Sequence, residues 1–155
     1  MVMSKRKIQQ SHHWYRDSRR AVKRAYGEDW KVFCGLLAAT SPNCTVKANL
    51  TLARKAYSWW KQTGCVPKHG FMRAHWLNIH RVIQGKTRLG GRKVNSFYQN
   101  LLGNENPVTV DIWMMRMAGY ILHEGSPRGY EYDDIEDRVK GEADSMGITP
   151  AGYLK

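Results

Sequence analysis

Apolar positions recur at helical spacing along nearly the whole chain, and no run shows the two-residue alternation of a strand. Tyr15, Ser18, Val22 and Tyr26 space a first helix closed by Gly27. Asp29 is positioned to cap a second, with Trp30, Phe33, Cys34 and Leu37 facing inward and Ser41-Pro42-Asn43 as its stop. The third is the clearest: Val46, Leu50, Ala53, Tyr57 and Trp60 alternate steps of four and three. After a loop from Gly64 to Gly70 comes a fourth helix, striped by Met72, Trp76, Ile79 and Ile83 and stopped by Gly85. A fifth runs from about Lys93 with Val94, Phe97 and Leu101 inward, ending at Gly103. Thr109 is a good N-cap for a sixth, carrying Val110, Trp113, Met114, Met117 and Ile121. A Gly/Ser/Pro linker then leads to an acidic helix over about 131–146, striped by Tyr132, Ile135, Val139 and Met146, and a last turn begins near Thr149-Pro150. The pattern predicts an all-α protein, a compact bundle of about seven helices. Residues 13–155 are expected to form one domain and residues 1–12, which lack an apolar period, a flexible basic arm.

Charge narrows the partner. Twenty-five Lys and Arg stand against 13 Asp and Glu, a net +12. So large an excess repels itself in a folded chain, and a polyanion is the natural reason to keep it. Residues 1–100 are basic, whereas Glu131, Asp133, Asp134, Glu136, Asp137, Glu142 and Asp144 gather the acid. That split suits nucleic acid better than a membrane, and no stretch reaches the roughly 18 apolar residues of a spanning helix. A soluble cytoplasmic protein is expected. Cys34, Cys44 and Cys65 form no CxxC pair and read as reduced thiols. His12 and His13 lie in the arm, and Cys65 with His69 has no second pair to complete a zinc site, so neither metal nor cofactor is expected.

Thr87-Arg88-Leu89-Gly90-Gly91-Arg92 is a short glycine turn between two helices, a hairpin over about 72–103. Such a turn brings backbone N–H groups close to a phosphate, and the next helix adds its positive end. Arg88 and Arg92 flank it. A plain connection between helices explains the glycines equally well. Lys93 follows in the first helical turn, where the dipole disfavours a cation; a deprotonated amine there would be a Schiff-base nucleophile. An ordinary solvated lysine is the competing reading. Asp111 lies at the next helix start, where aspartate is often only a cap, and spacing alone does not bring it to Lys93.

Three segments, in order, resemble the helix-hairpin-helix DNA glycosylase superfamily. Its hairpin has the form L-P-G-[VI]-G-x-K-[TV]-A, against Leu89-Gly90-Gly91-Arg92-Lys93-Val94 here. Its next helix opens [VP]-x-V-D-x-[HW], against Pro107-Val108-Thr109-Val110-Asp111-Ile112-Trp113. Phe33 to Ser41 is similar to its opening helix, and a polar turn and a helix near Thr45-Val46 follow. The resemblance covers most of residues 30–120. It implies that Lys93 attacks C1′ of an extruded nucleoside and that Asp111 supports the cationic sugar transition state. Gly90 and Gly91 would bind phosphate, with Arg88, Arg92 and Lys47 as further DNA contacts. Ser41 or Asn43 would fill the gap left by the flipped base, and Thr40 and Trp113 would line its pocket.

The chain departs from that pattern in places. Leu89 stands where the first hairpin glycine belongs, and no four-cysteine cluster follows the sixth helix, which excludes an iron–sulfur centre of the endonuclease III kind. Its shortness is similar to that of small phage-encoded relatives, some of which hypermodify thymine. The implied partner is double-stranded DNA, with no obligatory protein partner. Three activities therefore stay open: a glycosylase with AP-lyase action, a non-catalytic DNA-binding module, and a base-modifying enzyme. Off-stripe Trp59 and His75 are candidates for stacking on a base or for plain packing; Met114, Met115 and Met117 read as adaptable packing.

Overall fold

The computed structural model describes residues 5–110 and 128–151, with side chains from residue 14 onward. Within these residues the protein is all-α: no strand occurs, six α-helices and one 3-10 turn are described, and a further helical turn begins at Pro150, near the expected Thr149-Pro150. The six helices are α1 (Lys5–Tyr26), α2 (Trp30–Ala39), α3 (Val46–Thr63), α4 (Arg73–Ile83), α5 (Arg92–Leu102) and α6 (Gly129–Met146), with the 3-10 turn at Gly27–Asp29. The sixth helix expected from Thr109 lies outside the described residues beyond Val110.

The helix ends follow the stop residues. Thr45 caps α3 by accepting the Ala48 N–H at 3.2 Å, and Gly64 ends it in the left-handed conformation at φ 69°. The first helix departs from expectation. It reaches back to Lys5, so the segment read as a flexible arm is helical from that residue. Lys, Arg and Gln are strong helix formers, and propensity extends a helix where no apolar period marks it.

The chain divides into two compact units, Arg19–Tyr98 and a second made of Met1–Ser18 with Gln99–Lys155. In the first, α2 is the central element and packs against both α3 and α4. Its contact face is Phe33, Cys34, Leu36, Ala38 and Ala39, all buried. Leu36 takes the inward place expected of Leu37. On α3 the expected Ala53 is buried and is joined by Asn49 and Ala56, whereas Val46, expected at the head of the stripe, is 78% exposed. Close helix approach selects the small side chains and turns the β-branched end residue outward. Gly35 serves the same closeness, since a Cβ there would stand 2.8 Å from Val82 Cγ2.

Asp29 does not cap α2 through its side chain. Its carboxylate instead accepts the Tyr57 hydroxyl at 2.8 Å and pairs with Lys61 at 3.0 Å, tying the start of α2 to α3. The Lys61 bond, then the Tyr57 bond, hold Asp29 below the usual carboxylate range. Burial, then the bond to Asp29, pushes Tyr57 up to about 12.

The second unit has a core of Val108, Val110, Tyr132, Ile135, Val139 and Ala143, with Ile148 beside it. Met146, expected on this stripe, is 45% exposed. Tyr132 donates its hydroxyl to the Val108 carbonyl and accepts the Val110 N–H at 3.2 Å; Glu136 accepts the Val108 N–H at 3.1 Å. Fully buried Asn100 holds the segment before them, donating to the Asn104 and Pro107 carbonyls and accepting the Thr109 hydroxyl.

Candidate nucleic-acid interface

The glycine turn sits between α4 and α5, and two asparagines hold it. Asn78, on the buried face of α4, accepts the Gly90 N–H at 2.7 Å and donates to the Gly90 carbonyl at 3.0 Å. Asn95, in the first turn of α5, accepts the Leu89 N–H at 3.0 Å. Leu89 itself is buried and pins the turn from within. The two glycines differ in what they do. Gly91 adopts φ 87°, a left-handed backbone that resists other residues, whereas a Cβ on Gly90 would make an ordinary 3.4 Å contact with Asn78.

This geometry alters the expected phosphate contact. The Gly90 N–H points at Asn78, so it is spent inside the protein. The outward donors are the Gly91 and Lys93 N–H groups, which meet no acceptor among the described residues. Arg88, Arg92 and Lys93 are exposed around these donors. Lys93 is thus at the rim of the turn and open to solvent, not enclosed. Asp111 and Trp113 lie outside the described residues.

The turn after α2 is equally well held. Thr40 is fully buried, its hydroxyl 2.7 Å from Asn49 Oδ1 and 2.9 Å from the Leu36 carbonyl, which leaves it no access to a base. Ser41 donates to the Ala38 carbonyl at 2.7 Å. Asn43 stands exposed at φ 57°, the described non-glycine residue with left-handed backbone, so it presents its side chain outward. His75, read as either a stacking or a packing residue, is buried and donates Nε2–H to the Pro42 carbonyl at 2.8 Å. Trp59 remains 45% exposed. One face of α4 therefore anchors both turns, His75 the first and Asn78 the second. Sequence reasoning passed over Asn78, which falls on a buried face where apolar side chains are expected, and left His75 open between stacking and packing.

A broader signal was legible and missed. Between Asp29 and Glu105 the chain has no carboxylate at all, yet it carries twelve Lys and Arg. All twelve are exposed, including Lys47. The unit Arg19–Tyr98 contains sixteen Lys and Arg against Glu28 and Asp29, and Asp29 is already taken by Lys61. A surface so uniformly cationic has little means of pairing internally.

Among the described residues no three His, Cys, Asp or Glu side chains converge as metal ligands, and no helix is long and apolar enough to cross a membrane. The model of a family of unknown function, DUF7178, matches residues 2–152. This chain belongs to that family. No curated protein and no solved structure matches it. In this DUF7178 member the polar residues anchoring the two turns, rather than a named relative, are what speak to function.

Proposed function

We propose that this chain is a duplex-DNA-binding protein of helix-hairpin-helix type whose Lys93 acts as a glycosylase and AP-lyase nucleophile. The observation that carries the reading is the Asn78 amide closed on both polar groups of Gly90, which keeps the turn ready-made while cations surround its outward face. A preset turn meets a phosphate with little loss of conformational entropy. Exposed Asn43, on the other turn anchored by α4, is the residue offered to a gap in the base stack.

In the chemical step Lys93 Nζ, as the free amine, forms a bond to C1′ while the bond from C1′ to the base nitrogen breaks and the base leaves with a proton. Opening of the sugar ring then gives an imine between Nζ and C1′, from which loss of the 2′ proton expels the 3′ phosphate. Asp111 would support the positive charge that develops on the sugar.

Borohydride reduces such an imine to a stable amine, so it traps a covalent protein–DNA adduct. The reading expects an adduct with damaged duplex that is lost in Lys93→Gln and reduced in Asp111→Asn. Duplex binding that survives both substitutions, with no adduct on any of a broad panel of lesions, identifies a non-catalytic binding module instead. Altered thymines found by nucleoside mass analysis, without strand cleavage, point to base modification.

A further inference from the structure

We infer that the outer face of α3 is a second contact with the DNA backbone, made by Lys47 and Arg54 independently of the hairpin. The inference rests on the duplex-binding reading above and extends it to a surface that the glycine turn does not include.

Lys47, Thr51, Arg54, Ser58 and Lys61 recur at steps of four, three, four and three, which places them in one stripe along α3. Every one is exposed, while Asn49, Ala53 and Ala56 on the other side are buried. Successive basic positions are seven residues apart, about 10.5 Å of helix rise. Lys61 is committed to Asp29, and Thr51 turns its hydroxyl back on the Lys47 carbonyl. Lys47 and Arg54 meet no carboxylate among the described residues, and α3 contains none.

The occupant follows from what the stripe lacks. The stripe itself carries no apolar side chain. The exposed apolar residues of α3, Val46 and Trp59, flank it singly instead of forming the continuous apolar face an interfacial helix needs or the clustered anchor of a protein interface. The spacers of the stripe are short hydroxyl residues that let two long cations reach past them. A duplex carries about one charge per 1.7 Å of its axis, so cations about 10 Å apart find phosphates in almost any register. Repeated charge without apolar anchors fits a phosphate backbone.

The test is binding of a fluorescent duplex by the full chain over a salt series, with wild type, Lys47→Gln/Arg54→Gln, and Lys31→Gln/Lys68→Gln as an equal-charge control off the stripe. Each lost phosphate contact lowers the log–log salt slope by about 0.9, so the stripe variant should be shallower by about 1.8 and bind roughly 60-fold more weakly near ~0.1 M salt. Its thermal melt should match wild type, and Lys47→Arg/Arg54→Lys should restore the slope. A stripe variant that behaves like wild type or like the control overturns the inference. If Arg88→Gln/Arg92→Gln weakens binding and the stripe variant does not, the inference fails while the hairpin reading stands. Wild type that binds no duplex, or whose duplex is displaced more readily by anionic vesicles or single-stranded RNA than by duplex competitor, overturns both.

Discussion

Asn78 and Asn100 are the same device put to opposite ends. Each is a buried amide that holds a turn through backbone groups, Asn78 by both polar groups of Gly90 and Asn100 by two carbonyls and a hydroxyl. In the basic unit the turn so held is rimmed by exposed Arg88, Arg92 and Lys93. In the other unit the segment that follows runs into a core, where Tyr132 and Glu136 of the acidic helix take up its remaining donors and acceptor. The difference teaches how to tell a presented turn from a packed one. The bonding of the asparagine does not separate them; the groups left outside do.

Removing each asparagine sharpens the contrast most. Asn100→Ala removes three hydrogen bonds made by a fully buried amide and should lower the unfolding free energy by about 3 kcal/mol, measured in urea. Asn78→Ala should cost about 2 kcal/mol, because half-buried Gly90 can recover some hydration. At a temperature where both variants stay folded, only Asn78→Ala should weaken duplex binding. Equal losses of binding would mean that Asn78 supports stability and nothing more.

The pairing of charge offers a second, smaller contrast, since Asp29 is the partnered carboxylate of a unit otherwise crowded with cations. Its folded value is depressed, so the stability it contributes is full above the unfolded value of about 3.9 and is lost as pH falls through the folded one. Asp29→Asn should therefore cost about 1 kcal/mol at neutral pH, discounted for its partial exposure. The gap in melting temperature from wild type should stay level above about pH 5 and close toward pH 2. A gap that widened on acidification would contradict the assignment.

The smallest effect leaves the protein intact. Burial pushes the Cys34 thiol up to about 12, whereas Cys65 is exposed. Iodoacetamide should label Cys65 in the native protein and Cys34 only on unfolding, with no change in melting temperature at the first step. Prompt labelling of Cys34 would mean that α2 is not the packed centre of the basic unit.

Much of the helical layout was legible because its punctuation is local. Gly27, Gly64 and Gly103 end helices as their backbone freedom dictates, and Thr45 sits at the start it was read to mark. What failed to show was decided by partners distant in sequence. Asn78 reads as a polar interruption until Gly90, twelve residues on, completes it. Thr40 reads as a surface turn residue until Asn49 closes over its hydroxyl. Periodicity placed Ala53 inward but not Ala56 or Asn49, because which neighbours are buried beside it depends on how near two helices approach. The carboxylate-free span from Asp29 to Glu105 needed no partner to be seen, and it bears most directly on function.

Titration of labelled duplex DNA against the wild-type chain over a salt series tests the central claim. The account predicts tight binding at low salt and a steep linear fall of log affinity with log salt, with a slope beyond about −3 for the hairpin and α3 contacts together. Failure to bind at low salt, or an affinity indifferent to salt, would contradict it.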